Sequence, residues 1–256
     1  MVLKYQQNYS KIDPEMFVFK GRKEKSLKIT AILDDFLHNK FSKKIKDLTC
    51  LEIGCSVGGM TRLFAKKFQK IVAIDIDKGA IEKAKKFNVL SNIKYQIADA
   101  LKLPFKNDSC EVVICNHIYE HVPDAFKMMD EIRRVIKKNG ICYLAGPNKY
   151  TLIENHYFLP FLSWLPKSAA GFYLKIMGKG SNYYETPLSY KELKKSAAGF
   201  KIYDYTAEVL KKPKKFQTTY KLQKIISAFP IFLLKIFRPF MPSFFWVLLR
   251  QEGNNK

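Results

Sequence analysis

Apolar positions along the chain follow two alternating patterns. From Leu27 to Phe41, residues Leu27, Ile32, Leu33, Phe36 and Leu37 fall at helical spacing and predict a leading helix. Short, nearly continuous apolar runs then alternate with amphipathic ones: "LTCLEI", a helix over Met60–Phe68, "KIVAIDI", a helix over Gly79–Phe87, "NIKYQIA", "CEVVICNH", a helix over Asp124–Lys137, and "GICYLAG". Strands that are apolar on both faces and separated by helices imply a parallel sheet covered on both sides. Further on, "SAAGFKIYDYT" predicts a helix end running into a sixth strand, and "SFFWVLLRQ" predicts a closing seventh. The expected fold class is α/β: a doubly wound, mostly parallel seven-stranded sheet with an aromatic insertion after strand five and an extra C-terminal helical segment. No internal repeat or low-complexity linker is visible. Sheets of this kind bind ligands at the carboxyl ends of their strands, near the point where strand order reverses.

Composition narrows the picture. A chain of 256 residues can bury a full core, and 47% hydrophobic content with 14% aromatics excludes the disordered class. The formal net charge of +22 invites a nucleic-acid partner, because clustered cations bind phosphate through counterion release. Only six of the 45 basic residues are arginine, however (Arg22, Arg62, Arg133, Arg134, Arg238, Arg250), and phosphate and base recognition lean on the guanidinium fork. Nucleic acid is therefore disfavoured as a partner, and an anionic membrane surface is preferred over it. The five cysteines (Cys50, Cys55, Cys110, Cys115, Cys142) lie in or beside predicted strands without a CxxC pair, as buried reduced thiols do. The stretch "MVLKYQQNYSKIDPEMF" has no apolar run of signal-peptide type, so a cytoplasmic location is expected.

The first strand runs into "GCSVGGM", a glycine-rich loop of the type that cradles phosphates. A dinucleotide fingerprint starting at Gly54 needs glycines at 54, 56 and 59, and position 56 is Ser56. The missing middle glycine is the one that lets the backbone approach a pyrophosphate. Glu52, two residues before Gly54, adds a carboxylate that repels a pyrophosphate and attracts an ammonium or sulfonium group. Asp75 ends the second strand, where a carboxylate accepts hydrogen bonds from both hydroxyls of a ribose. An adenosine ligand with a cationic tail fits this set, and S-adenosylmethionine is such a ligand.

"LEIGCSVGGMT", "VAIDID", "ADALKLPF" and "VVICNHIYEHV" resemble, in order and spacing, successive motifs of the class I S-adenosylmethionine-dependent methyltransferases, most closely those acting on small molecules and lipid quinones. The resemblance covers Leu48 to Pro147 and implies a Rossmann-like fold and S-adenosylmethionine as cofactor. It also implies that Glu52, Gly54 and Gly58 frame the methionine part, that Asp75 holds the ribose, that Asp99 sits by the adenine amino group, that Asn116 lines the site, and that Cys55, Ile76 and Ala100 belong to the cofactor-binding set. On this basis the chain divides into a leading segment (1–47), a cofactor-binding core (48–149), an acceptor-covering insertion (150–187) and the remainder of the sheet with a basic and apolar helical segment (188–256).

Methyl transfer from a sulfonium is an in-line displacement, in which positioning supplies much of the acceleration and a base is needed only if the acceptor must lose a proton. His117 and His121, four residues apart, would share one face of a helical turn, and Glu120 beside them would orient a base. These three are the candidate catalytic residues. No third ligand sits at a recognisable metal spacing, so no metal is expected. Tyr150 to Pro187 holds nine aromatics (Tyr150, Tyr157, Phe158, Phe161, Trp164, Phe172, Tyr173, Tyr183, Tyr184) and is long enough to be a lid. His156, Tyr157 and Trp164 are its candidate substrate-binding residues. An insertion with a small core of its own is the alternative. Lys211, Lys212, Lys214 and Lys215 precede an apolar run over Ile225–Phe237, which Pro230 and Lys235 interrupt well short of the roughly 18 residues a spanning helix needs. A basic cluster beside an apolar helix suits the inner face of a membrane, with packing of that helix on the sheet as the equal rival. The acceptor expected is a small molecule, a lipid-linked compound or a glycan. RNA or tRNA methylation and non-catalytic cofactor binding stay open as alternatives.

Overall fold

Every predicted strand is present in a computed structural model of the chain, which describes residues 5, 19–219 and 223–251, with backbone alone at 19, 20 and 223. The strands are β1 (Thr49–Ile53), β2 (Lys70–Asp75), β3 (Ile93–Ile97), β4 (Cys110–Asn116), β5 (Ile136–Pro147), β6 (Phe200–Asp204) and β7 (Ser243–Arg250). They form one sheet in the order β3-β2-β1-β4-β5-β7-β6. β1 to β5 pair in parallel, and β7 runs antiparallel between β5 and β6. Strand order reverses between β1 and β4, so the crevice beyond their carboxyl ends is where such a sheet takes a ligand. Residues 1–18 apart from Tyr5, on which the signal-peptide reading rests, and 220–222 within the basic-to-apolar segment lie outside the described residues.

The two-residue side-chain period of the strands feeds two cores. On one face Cys50, Ile71, Ala73, Val112, Ile114, Tyr143 and Val247 pack against Ile29, Ile32, Leu33, Phe36 and Leu37 of the leading helix α1 (Phe19–Phe41). On the other face Leu51, Ile53, Ile74, Val113, Cys115, Leu144, Trp246 and Leu248 meet Met128, Met129, Ile132 and Val135 of a helix over Ala125–Val135. Each such side chain contributes about 1.5–3 kcal/mol on leaving water, which is why both faces must be covered. All five cysteines are free thiols; Cys110 is partly exposed and the other four are buried.

Helix boundaries differ from the sequence reading for local reasons. α1 begins at Phe19, eight residues before the apolar periodicity starts, and this extension carries Arg22 to the glycine loop, where its guanidinium would meet a Cβ placed on Gly59. The helix expected over Met60–Phe68 is regular only over Thr61–Phe64. The Asn92 side-chain amide donates to the carbonyls of Ala65 (2.8 Å) and Phe68 (3.2 Å) and takes up acceptors at that end. The helix after β4 starts where Asp124 caps it, its side chain accepting from Lys127 N at 2.9 Å, and ends at Val135 because the chain passes directly into β5.

The insertion builds a small core of its own. Leu159, Leu162, Ala170, Leu174 and Tyr183 cluster there, with Tyr157 and Tyr173 against them, around a helix over Lys167–Ile176. Near the C-terminus the basic-to-apolar segment forms two short helices, Gln223–Ala228 and Ile231–Ile236, and of the second only Leu234 is buried. Among the described residues no helix is long and apolar enough to cross a membrane.

Candidate functional site

The glycine loop leaves β1 at the crevice and turns through three left-handed residues: Gly54 (φ 74°), Ser56 (φ 50°) and Gly58 (φ 80°). A Cβ on Gly54 would lie 2.0 Å from Ile118 Cδ1, and one on Gly58 would lie 2.5 Å from the Tyr95 hydroxyl, so both positions require glycine for space as well as for φ. Ser56 adopts the left-handed turn without being glycine. Its strain is compensated by two anchors. Gly54 N and Cys55 N both donate to Ile74 O (2.8 and 3.0 Å), and Ser56 N donates to Asp75 Oδ2 at 2.7 Å.

Asp75 thereby sits at the end of β2 with its carboxylate already engaged. Oδ1 accepts from Asp77 N at 2.9 Å, and burial raises its pKa despite the two backbone donors. Ile76 beside it is exposed, and Cys55 and Ala100 are buried. Glu52 is more enclosed than the sequence reading held: it is 5% exposed, and Oε2 is buried without a hydrogen bond. Burial pushes its pKa up to about 7, with Asp75 adding to the rise and with Thr61 and Arg22 opposing it. An enclosed carboxylate with an idle acceptor beside a glycine loop is the feature a bound ammonium would satisfy.

After β3, Asp99 Oδ1 accepts from Leu101 N at 2.7 Å and from the Tyr5 hydroxyl. Tyr5, Arg22 and Ile118 are residues that the sequence reading missed. Tyr5 and Arg22 lie outside every motif and reach the site only through folding, whereas Ile118 was inside the "NHIYEHV" motif and was passed over because it is apolar.

β4 ends on Asn116, partly exposed, and the chain then carries His117 in the left-handed region (φ 56°). That conformation breaks the helical turn expected there, so His117 and His121 do not form a pair on one helix face. His117 Nδ1 instead lies 3.3 Å from Glu120 Oε1, and the His121 ring stands edge-on to His156 with centroids 5.1 Å apart. Tyr119, fully buried, ties this turn to β5 by donating its hydroxyl proton to Pro147 O, over a Gly146 whose Cβ would lie 2.3 Å from the ring. Glu120 is fully buried, and neither carboxylate oxygen has a hydrogen-bond partner. Its burial raises its pKa, but the imidazoles of His117 and His121 outweigh this and hold it below the usual carboxylate range; burial holds His121 low.

His156 comes from the insertion and is held firmly. Glu154, 2% exposed, bonds His156 Nδ1 through Oε1 at 2.8 Å and accepts from the amides of His156 (2.8 Å) and Tyr157 (2.7 Å) through Oε2. Burial would lower the His156 pKa, but the Glu154 bond and the fields of Glu185, Glu154 and Glu120 raise it overall. Thr186 N donates to Glu120 O at 2.7 Å and pins the far end of the insertion to the same turn. The fold therefore gathers Glu120, His121 and His156, and it supplies beside the first two the third donor that the sequence spacing lacked. Of the other expected acceptor residues, Tyr157 packs on Tyr183, while Trp164 faces Tyr150 and Phe161 and donates its indole proton to Thr151 O at 2.8 Å.

Comparison with known proteins places this crevice in a family context. Residues 51–144 match the family profile described as a methyltransferase domain. The chain is similar to a ubiquinone biosynthesis O-methyltransferase from Pelagibacter ubique, at 31% identity over 53% of this chain and 58% of that protein. It is also similar to a chloroplastic tocopherol O-methyltransferase from Arabidopsis thaliana, at 30% identity over 46% of this chain and 33% of that protein. These matches span less than two thirds of either relative. Among solved structures, the fold is shared with the plantazolicin methyltransferase BpumL, with a TM-score of 0.60 at 13% identity over 95% of this chain and 89% of that one.

Proposed function

We propose, from the premise that the chain belongs to the class I S-adenosylmethionine-dependent methyltransferase family, that it moves the methyl group of S-adenosylmethionine to a small apolar acceptor held between the strand ends and the insertion. The observation carrying this reading is the pairing of two carboxylates, the buried Glu52 and the half-buried Asp75, around a left-handed glycine loop at the switch point of the sheet. When bound, the cofactor supplies a methyl group on a sulfonium, ready for in-line displacement. Glu52 opposes its ammonium, Asp75 accepts from its ribose hydroxyls, and Ile76, Asp99 and Ala100 border its adenine. Gly54, Cys55 and Gly58 shape the loop against the methionine part, and Asn116 lines the crevice.

The acceptor reading rests on the cluster formed by His117, Glu120, His121 and His156. Its imidazoles and carboxylate stand where strands β4 and β5 end, and they can orient the acceptor and take up its proton if it must lose one. The two relatives above are named for methylation of a quinone precursor and of a tocopherol, which makes a prenylated phenol or quinol the acceptor class to try first. The test is transfer of isotope-labelled methyl from S-adenosylmethionine to a panel of such phenols, with cofactor binding followed by calorimetry against NAD. Binding of NAD in preference to S-adenosylmethionine would overturn the reading.

As a lid over that acceptor, the insertion should respond to substitution at Tyr157 and Trp164. Tyr157→Ala and Trp164→Ala are each expected to raise the acceptor KM several-fold while the cofactor KM changes little. Equal changes in both constants would assign the insertion to structure alone.

A second reading, that the chain works at an anionic membrane surface, is favoured by one observation. Leu152, Phe158, Phe161, Trp164 and Phe172 on the insertion, and Ile225, Phe232, Ile236, Phe237 and Phe240 near the C-terminus, are all exposed apolar side chains. The lysine cluster beside them is divided in its work. Lys211 donates to Ser227 O and Phe229 O, and Lys215 pairs with Asp35 at 2.5 Å, whereas Lys212 and Lys214 are exposed. Co-sedimentation with anionic vesicles at low salt is expected, falling off at high salt over the roughly 10 Å screening length at 0.1 M. It should also weaken in Lys212→Gln/Lys214→Gln, which spares the two structural lysines. Wild-type protein left in the supernatant at low salt would refute membrane binding.

A further inference from the structure

The geometry points to a divalent transition-metal site, of the kind Zn²⁺ occupies, formed by Glu120, His121 and His156. One donor atom from each of the three lies within 4.8 Å of the other two. An ion about 2.1 Å from each ligand in a tetrahedral arrangement holds the ligand atoms about 3.4 Å apart, so closure needs movements of about an ångström. Two imidazoles standing edge-to-face, with centroids 5.1 Å apart, can make that movement by ring rotation.

Three further observations point to a ligand rather than to a chance cluster. Glu120 is a carboxylate at 0% exposure that faces only imidazoles, His117 Nδ1 at 3.3 Å from Oε1 and His121, with neither oxygen in a well-formed hydrogen bond, an arrangement that a bound cation would complete. Glu154 fixes His156 through Nδ1 at 2.8 Å, which leaves Nε2 as the atom free to bind, as carboxylates do behind metal-bound histidines. Glu185, 2% exposed and with Oε2 lacking a hydrogen bond, adds the field of a second buried carboxylate at His156. His121 and His156 are partly exposed, so the ion has a route in. Two histidines and one carboxylate are three protein ligands, the number that leaves a fourth position open for a water or a substrate atom.

This inference deepens the acceptor reading and rests on it in one respect, the use of that fourth position. An acceptor hydroxyl bound there loses its proton to solvent more readily. Its oxygen then forms the new bond to the methyl carbon as the carbon–sulfur bond breaks, and the sulfur keeps that electron pair to become an uncharged thioether. The ion is neither oxidised nor reduced.

The test is metal binding by the full chain, read without turnover. Chelator-treated wild type is titrated with Zn²⁺ by calorimetry and with Co²⁺ by visible absorption, and S-adenosylmethionine binding is measured alongside. One equivalent of Zn²⁺ is expected, with the intense d–d bands of a four- or five-coordinate Co²⁺. His121→Ala and His156→Ala should each weaken Zn²⁺ binding at least about 100-fold, and Glu154→Gln about 10–100-fold by freeing the His156 ring. His38→Ala, on the exposed side of α1, should leave it unchanged. Cofactor affinity kept in each variant shows that it has folded, and His156→Gln repeats the loss of the ligand with a milder change. Less than one equivalent in wild type, or equal binding in the histidine variants, overturns the metal site while leaving the methyltransferase reading intact. Metal bound without any affinity for S-adenosylmethionine would do the reverse.

Discussion

Asp75→Ala is expected to weaken S-adenosylmethionine binding by about 30- to 1,000-fold, equivalent to about 2–4 kcal/mol. The carboxylate lies at the end of β2, is half-buried, and is the one the resemblance assigns to the ribose. A half-buried charged acceptor that loses two hydroxyl partners accounts for the lower figure. The higher one includes the loop, because Asp75 also holds Ser56 N at 2.7 Å and Asp77 N at 2.9 Å. Calorimetry separates these contributions when Asp75→Asn is run beside it. Asn retains one acceptor oxygen and is expected to fall between wild type and Ala. Wild-type affinity in the Ala variant would remove Asp75, and with it the cofactor assignment, from the site.

The second large effect fades as pH falls and changes sign with cofactor. Glu52 has an ordinary value of 4.5 when exposed and about 7 in the fold, a difference worth about 3 kcal/mol. Below about pH 4.5 the carboxyl is neutral in both the folded and unfolded chain and does not oppose folding. Between about 4.5 and 7 the unfolded chain releases the proton while the folded one keeps it, so stability falls as pH rises. Above about 7 the full cost of a buried charge is present. Glu52→Gln should therefore raise the apo melting temperature at pH 8, and the gain should shrink towards zero near pH 5. The same change is expected to weaken S-adenosylmethionine binding at pH 8, because the charge that burdens the empty fold is the one that meets the ammonium. A variant with the same melting temperature as wild type at every pH would show that Glu52 is not the strained group described here.

How much of this was readable beforehand differs from element to element. The strands were legible because burial on both faces forces continuous apolar runs such as "CEVVICN", and the glycine loop because only glycine leaves room at Gly54 and Gly58. The start of α1 was not legible, since Phe19 is followed by seven residues without an apolar side chain and so carries no periodicity. The grouping of Glu120, His121 and His156 was not legible for a similar reason. Ligand spacing is a local signal, and the donor that completes the set, His156, comes from an insertion that Glu154 and Thr186 fasten beside Glu120.

By itself the sequence determined the layer architecture, the order of chemical motifs and the preference for a cationic adenosine ligand. Each of these is encoded in neighbouring residues through side-chain period, backbone freedom or the sign of a charge. Only the tertiary structure decided that Glu52 is enclosed with an idle oxygen, that Ser56 can take a left-handed turn when Asp75 anchors it, and that His117 turns to Glu120 while His121 turns to His156. Those outcomes depend on which distant groups share a buried space, and desolvation and hydrogen-bond satisfaction act on that space however far apart along the chain its residues lie.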